Sequence, residues 1–206
     1  LNSLIITIPT VIGTLFLSSL AGYSLAMHRF KLNLLVFAMF IAGNFVPYQI
    51  LMIPVRNISI ELGMYNSHMG LIIFHIAFQT GFCTFFLRNF IKELPFELIE
   101  AARADGATEW TIYRKIIIPL TIPALAALGV LEFTFIWNDY FWALILTQGD
   151  TVKPITVGLD VLRGQWTTAW NLVSAGSVVA ALPPVIMFFI LQRQFIQGLT
   201  FGAVKG

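Results

Sequence analysis

Four stretches of this chain, 4–27, 32–55, 69–87 and 166–191, contain no Asp, Glu, Lys or Arg. A fifth, 116–147, is interrupted only by Glu132 and Asp139. Crossing the hydrocarbon core of a bilayer takes about 20 predominantly apolar residues. Only 11% of the chain is charged, against about 25% in an ordinary soluble domain. In lipid every backbone N–H and C=O must be paired within the protein, which leaves helices or closed barrels. A barrel needs segments of about 10 residues with alternating polarity, and these runs are continuous. The expected fold is therefore all-α: a multi-pass transmembrane helical bundle with five spans, forming a single membrane domain over 1–206.

Several functions are excluded at this stage. No basic cluster exceeds Arg114-Lys115, so a net charge of +2 points to no nucleic-acid partner. The single cysteine, Cys83, lies inside the third run and cannot form an intrachain disulfide. His28, His68 and His75 have no Cys or carboxylate at ligand spacing, and no metal site is expected. A phosphate-cradling loop needs G-x-x-x-x-G-K-[ST]. No lysine here follows a glycine, so ATP hydrolysis is not expected in this chain. The sequence enters its first run within three residues of Leu1, without a charged leader, and an additional span upstream is expected.

Orientation follows from Lys and Arg, which collect in short cytoplasmic loops. Five spans divide the loops into two sets. One holds Arg29, Lys31, Arg88, Lys92, Arg103, Arg114, Lys115, Arg193 and Lys205; the other holds Arg56, Lys153 and Arg163. The loop 88–118 and the tail 192–206 are therefore expected inside, and 56–68 and 148–165 outside. Ile58, Leu62 and Gly63 suggest a short interfacial helix in the first outer loop. The second, with Gly149, Asp150, Pro154, Gly158 and Gly164, reads as an exposed loop.

The loop 88–118 is too charged for lipid and too regular for a mere connection. Pro95 suits a first helical turn, where its missing N–H costs nothing. Phe96, Ile99 and Ala102 then share a face. Asp105-Gly106 ends this helix, with Gly106 supplying a left-handed turn. Thr108 is an N-cap for a second helix, in which Trp110, Tyr113 and Ile117 share a face. Two short helices joined at a glycine make a compact knob. Ala101 and Ala102 let another surface approach closely, and Glu100 offers it a charge. A solvated amphipathic connection would look similar.

Glu100-Ala101-Ala102, then Gly106 after three residues, then Ile116-Ile117-Ile118-Pro119 after nine more, resembles the EAA signature of permease subunits of binding-protein-dependent ABC importers. Ile118 stands where that pattern usually has Leu. The resemblance extends through Asn2-Ser3-Leu4, Ala21-Gly22-Tyr23-Ser24-Leu25-Ala26, Trp137-Asn138-Asp139-Tyr140 and the tail from Gly198 to Gly206. These segments are similar to carbohydrate-uptake permeases of the maltose-transporter type, and to the second permease subunit in particular. The resemblance implies a type I ABC importer permease fold, normally of six spans. Glu100, Ala101, Ala102, Asp105 and Gly106 would then couple the permease to a cytoplasmic dimer of ATP-binding subunits, which would hold the ATP and Mg. The other implied partners are a second, homologous permease subunit and an extracytoplasmic sugar-binding protein facing 148–165. The chain would reside in the inner cell membrane, in contact with lipid, and translocate a sugar by alternating access.

A carboxylate at mid-membrane costs about 2.5–3.5 kcal/mol on insertion scales, so Glu132 and Asp139 need a reason. Seven residues apart on one helix, they would lie within about 20° of one face. With Asn138 and the rings of Trp137, Tyr140, Phe141 and Trp142, they read as a polar stripe lining a sugar pathway. They read equally as an aromatic interface belt with a carboxylate bonded to a neighbouring helix. Glu132 stands where the family pattern would place an apolar residue. Asn44 and Gln79, and more weakly Gln49 and Asn171, are further pathway candidates, although polar groups in membrane helices often only join helices. Ser18, Gly22 and Ala26 recur every four residues and predict close helix packing. Pro47 and Pro183-Pro184 predict bends in the second and fifth spans. Two other functions fit parts of the pattern: the same machine carrying a polyamine, phosphate or phosphonate, and an ion-coupled carrier using Glu132 and Asp139.

Overall fold

The structure, a computed structural model, describes residues 1–164 and 168–200, with side chains as far as residue 193. Among these residues it is helical and contains no strand, only an isolated bridge between Arg163 and Thr168. The helices are α1 (Asn2–Met27), α2 (Asn33–Ala42), α3 (Met52–Glu61), α4 (His68–Lys92), α5 (Phe96–Ala104), α6 (Glu109–Ile112), α7 (Ile118–Trp137), α8 (Phe141–Leu146), α9 (Ile155–Val161) and α10 (Trp170–Thr200). A π-helical turn, Tyr113–Ile117, joins α6 to α7. Among the described residues four helices are long and apolar enough to cross a membrane, α1, α4, the continuous run Glu109–Trp137, and Trp170–Arg193, and a bent pair within 33–61 makes a fifth if it is one span. The expected start of the last span at Trp166 and the end of the tail 192–206 lie outside the described residues.

Two expected spans are not straight rods. The second, 32–55, breaks at Val46 and Pro47 into helical pieces, Asn33–Phe45 and Tyr48–Glu61. Pro47 cannot donate to a helix, and it pushes Val46 out of helical conformation. The fourth, 116–147, ends as a helix at Trp137 and restarts at Phe141. Other prolines leave their helices unbroken: Pro9 lies inside α1, Pro123 inside α7, and Pro183 and Pro184 inside α10. The π turn directly precedes Pro119, which has no N–H to continue the regular ladder. Thr121 donates to the carbonyls of Ile117 and Ile118 at 2.9 and 3.1 Å, covering carbonyls in that disturbed turn.

The chain forms two compact units, to which α1, α4 and α7 each contribute residues. One comprises Leu1–Gly13, Val46–Phe78 and Val130–Ile190. Its core gathers Ile6, Leu71, Ile136, Trp142, Leu146 and Val152. The Trp142 ring lies 4.1 Å from Phe74, and the indole N–H of Trp137 donates to the Ala180 carbonyl at 2.9 Å. The other unit comprises Thr14–Phe45, Gln79–Gly129 and the residues from Leu191. Its core includes Tyr23, Cys83, Leu87, Ile91, Ile99, Ile112, Tyr113 and Ile117. Here Gly22 of α1 meets α4 so closely that an added Cβ would lie 3.1 Å from the Arg88 backbone nitrogen. Ser18, one turn earlier, donates to the Thr80 carbonyl at 3.2 Å. The small residues of α1 thus do what their spacing predicts: they let two helices touch. Arg88, expected at the start of the loop, is instead a buried member of α4. Its guanidinium lies 3.7 Å over the Phe37 ring and its Nε donates to the Leu25 carbonyl.

Candidate functional site

The segment between α4 and α7 folds as a helix–turn–helix knob. Pro95 precedes α5, whose first N–H groups have no side-chain cap. Gly106 ends the turn at φ +80°, a conformation that costs other residues about 1–2 kcal/mol. The Thr108 side chain then accepts the Thr111 N–H at 3.3 Å and caps α6. Burial divides α5 cleanly. Ile99 is 1% exposed and Ala102 is half-buried against the core, whereas Glu97, Leu98, Glu100 and Ala101 are exposed. Asp105 and Gly106 are exposed as well. Of the five candidate coupling residues, Glu100, Ala101 and Ala102 lie on α5 and Asp105 and Gly106 in the turn that ends it; all but Ala102 are exposed.

Each expected face loses one member. Phe96 is 46% exposed and does not join Ile99 in the core. On the second helix Trp110 is 57% exposed and the buried set is Ile112, Tyr113 and Ile117. The π turn explains this, since it brings residues five apart, Ile112 and Ile117, onto one side. Trp110 instead stacks on Tyr113, with ring centroids 5.3 Å apart.

A polar cluster fastens the knob. Arg103 of α5 donates to Glu109 of α6, from Nε to Oε1 at 2.9 Å and from Nη2 to Oε2 at 3.3 Å. The same Oε2 accepts the Tyr23 hydroxyl at 2.5 Å and lies 3.3 Å from His28 Nε2. The hydrogen bonds that Arg103 donates to Glu109 hold its guanidinium above the ordinary pKa. Nothing in the sequence singled out Tyr23, Arg103 or Glu109 as a set. The only local trace is the spacing of four residues that separates Ser19 from Tyr23 and Glu109 from Tyr113.

The candidate pathway residues divide between the two units: Glu132, Asn138 and Asp139 in one, Asn44 and Gln79 in the other. Glu132 is fully enclosed by protein. It does not share a helical face with Asp139, because α7 ends at Trp137. Asp139 sits in the break between α7 and α8, where its carboxylate accepts the Trp142 N–H at 3.3 Å and the Ala143 N–H at 2.9 Å. His75 Nε2 of α4 lies 3.5 Å from its Oδ2, and its backbone carbonyl accepts the Thr156 hydroxyl of α9 at 2.6 Å. The side chain thus ties α8 to α4, and the backbone carbonyl adds α9. The exposed Asn138 donates to the Thr134 carbonyl at 2.9 Å, and the exposed Asn44 to the Phe40 carbonyl at 3.0 Å. Gln79 is half-buried, and Gln49 and Asn171 are exposed. Among the described residues no three His, Cys, Asp or Glu side chains are grouped to hold a metal ion.

Comparison with known proteins identifies the architecture. Residues 4–201 match the family described as binding-protein-dependent transport system inner membrane component. A probable ABC transporter permease protein of Pyrococcus horikoshii is 40% identical over 187 residues, covering 90% of this chain and 68% of the relative. The arabinooligosaccharides transport system permease protein of Halalkalibacterium halodurans is 37% identical over 205 residues, covering 100% of this chain and 73% of the relative. Among solved structures, a chain of a bacterial ABC transporter involved in import of the acidic polysaccharide alginate superimposes with a TM-score of 0.79. That match has 24% identity and covers 94% of this chain and 72% of the other.

Proposed function

We propose a function from one premise: the chain belongs to the family of binding-protein-dependent transport system inner membrane components. It is a multi-pass helical membrane permease with the fold of ABC importer permeases. We assign it the role of transport subunit for a carbohydrate delivered by an extracytoplasmic binding protein. The observation that carries the mechanism is α5, with Glu100 and Ala101 exposed and Ile99 buried beneath. Such a surface is fixed from below and free above, which is what a docking element requires.

In this reading the knob and the chain end lie in the cytoplasm, where Lys and Arg collect. The knob seats on a separate ATP-binding subunit, which would hold ATP and Mg. A second, homologous permease completes the pathway. Closure of the ATPase on ATP displaces the knob, and the packed helices respond by exchanging one arrangement for another. The carbohydrate assignment is supported by the arabinooligosaccharide relative and by the similarity of Trp137-Asn138-Asp139-Tyr140 and the tail to sugar permeases. Because Asp139 is committed to a helix cap and to His75, it is assigned a structural role beside the pathway. The neighbouring exposed Asn138 and Tyr140 remain the polar and aromatic candidates for sugar contact.

Two experiments test this. Purification of the intact assembly with its binding protein, followed by identification of the retained solute, should yield an oligosaccharide; a polyamine or phosphonate would overturn the cargo. A membrane-impermeant thiol label at Ala101→Cys should react only when the cytoplasmic face is open. Reaction from the exterior of sealed cells would overturn the orientation and, with it, the coupling role.

A further inference from the structure

The knob is held on α1 by a two-rung ladder of side chains. On α1, Ser19 and Tyr23 are one helical turn apart; on the facing segment, Tyr113 and Glu109 are one turn apart. Ser19 Oγ and the Tyr113 hydroxyl meet at 2.7 Å, and Ser19 also donates to the Phe16 carbonyl at 2.8 Å. A hydroxyl has one proton, so Tyr113 is the donor in this rung. In the second rung the Tyr23 hydroxyl donates to Glu109. The rungs run in opposite directions along the two segments, and the Tyr23 and Tyr113 rings pack between them with centroids 5.5 Å apart. Arg103 extends the ladder to α5, bridging the turn at Gly106.

The apolar contacts beneath, through Ile99, Ile112 and Ile117, hold the knob against the core. Burial of apolar surface is non-directional, so those contacts resist separation more than they resist sliding. Hydrogen bonds weaken steeply off axis, and two of them one turn apart admit a single register. We propose that Tyr23 and Glu109 are positioning residues of the transport cycle, locking the knob to α1 so that displacement of the knob is carried into that helix. The proposal rests on the reading that the knob meets the ATPase, and it adds which contacts transmit the push. Neither residue belongs to the exposed surface of α5.

The test uses the complete transporter, this chain with its companion permease, ATPase and binding protein, reconstituted in vesicles. Solute uptake and ATP hydrolysis are measured together for Tyr23→Phe, Glu109→Ala and Glu109→Gln, with Glu100→Lys as the reference for docking. Tyr23→Phe and Glu109→Ala should lower the solute carried per ATP by about fivefold, the low end of ordinary coupling between sites, with hydrolysis little changed. Glu109→Gln keeps an oxygen for Tyr23 and should recover most of that ratio. Glu100→Lys should lower uptake and hydrolysis together. If the ladder variants keep the wild-type ratio, or lose both rates in parallel, while Glu100→Lys behaves as stated, the ladder proposal fails and the docking surface stands. If Glu100→Lys transports at the wild-type rate, the docking reading fails and takes the ladder with it. Tyr23→Phe removes a single oxygen atom; if even this variant is absent from the membrane, the rung is a folding requirement and the positioning role is overturned.

Discussion

Glu109 and Asp139 keep similar company in very different solvent. Each carboxylate lies beside a histidine and receives N–H or O–H groups from at least one other helix. The Glu109 side chain is 47% exposed and its histidine 41%, whereas Asp139 is 14% exposed and His75 5%. Burial decides what each junction is worth. An exposed ion pair contributes little, because water competes and salt screens it. A buried carboxylate that caps a helix has no substitute partner, and removing it strands the groups it served. The first junction is therefore suited to guiding a moving part, and the second to holding a fixed one.

This contrast can be broken experimentally. The largest effect is expected for Asp139→Ala, which strips two first-turn N–H groups of α8 and leaves His75 without its carboxylate. Lost capping and unmet buried donors together should cost about 2–3 kcal/mol, read as a lower thermal midpoint of the detergent-solubilised assembly. Asp139→Asn retains an oxygen for the cap and should recover at least half of that loss; equal damage from both variants would assign the site to charge alone. Next in size is Gly106→Ala on the knob, at about 1–2 kcal/mol, because the added Cβ must adopt the left-handed turn. Trp137→Phe should cost about 1 kcal/mol through loss of the bond to the Ala180 carbonyl. Smallest is Glu109→Gln, below about 1 kcal/mol at low ionic strength after allowance for its exposure. That increment should vanish in high salt, whereas the Asp139 increments should not. Equal salt sensitivity at the two sites would remove the distinction.

Two spans of similar apolarity make a related point. Half of the most apolar part of the helical run through α7 is buried within the chain, against 6% for α10. Apolar composition says that a segment leaves water. It does not say whether protein or lipid receives it, since lipid tails are as apolar as leucine.

The helices were legible from the sequence because their causes are local. Uncharged length marks the spans, and Pro95, Gly106 and Thr108 act on the backbone within a few residues of themselves, so the knob was readable to its turn. Local causes also compete: Pro47 bends the second span, as its position predicts, and interrupts its helix as well, while the π turn before Pro119 leaves Trp110 out of the buried face. The candidate site was legible only as a surface. Glu100, Ala101 and Gly106 are visible from spacing, while the residues that steady them are not.

What the sequence determined by itself was which segments leave water and where the turn of the knob falls, since hydropathy and backbone capping act over one or two turns. Only the tertiary structure decided that Tyr23 meets Glu109, 86 residues away, and that Asp139 leaves its helix to cap the next one. Both follow from which helix faces pack together, and side chains that meet only through packing leave no periodic mark on the chain.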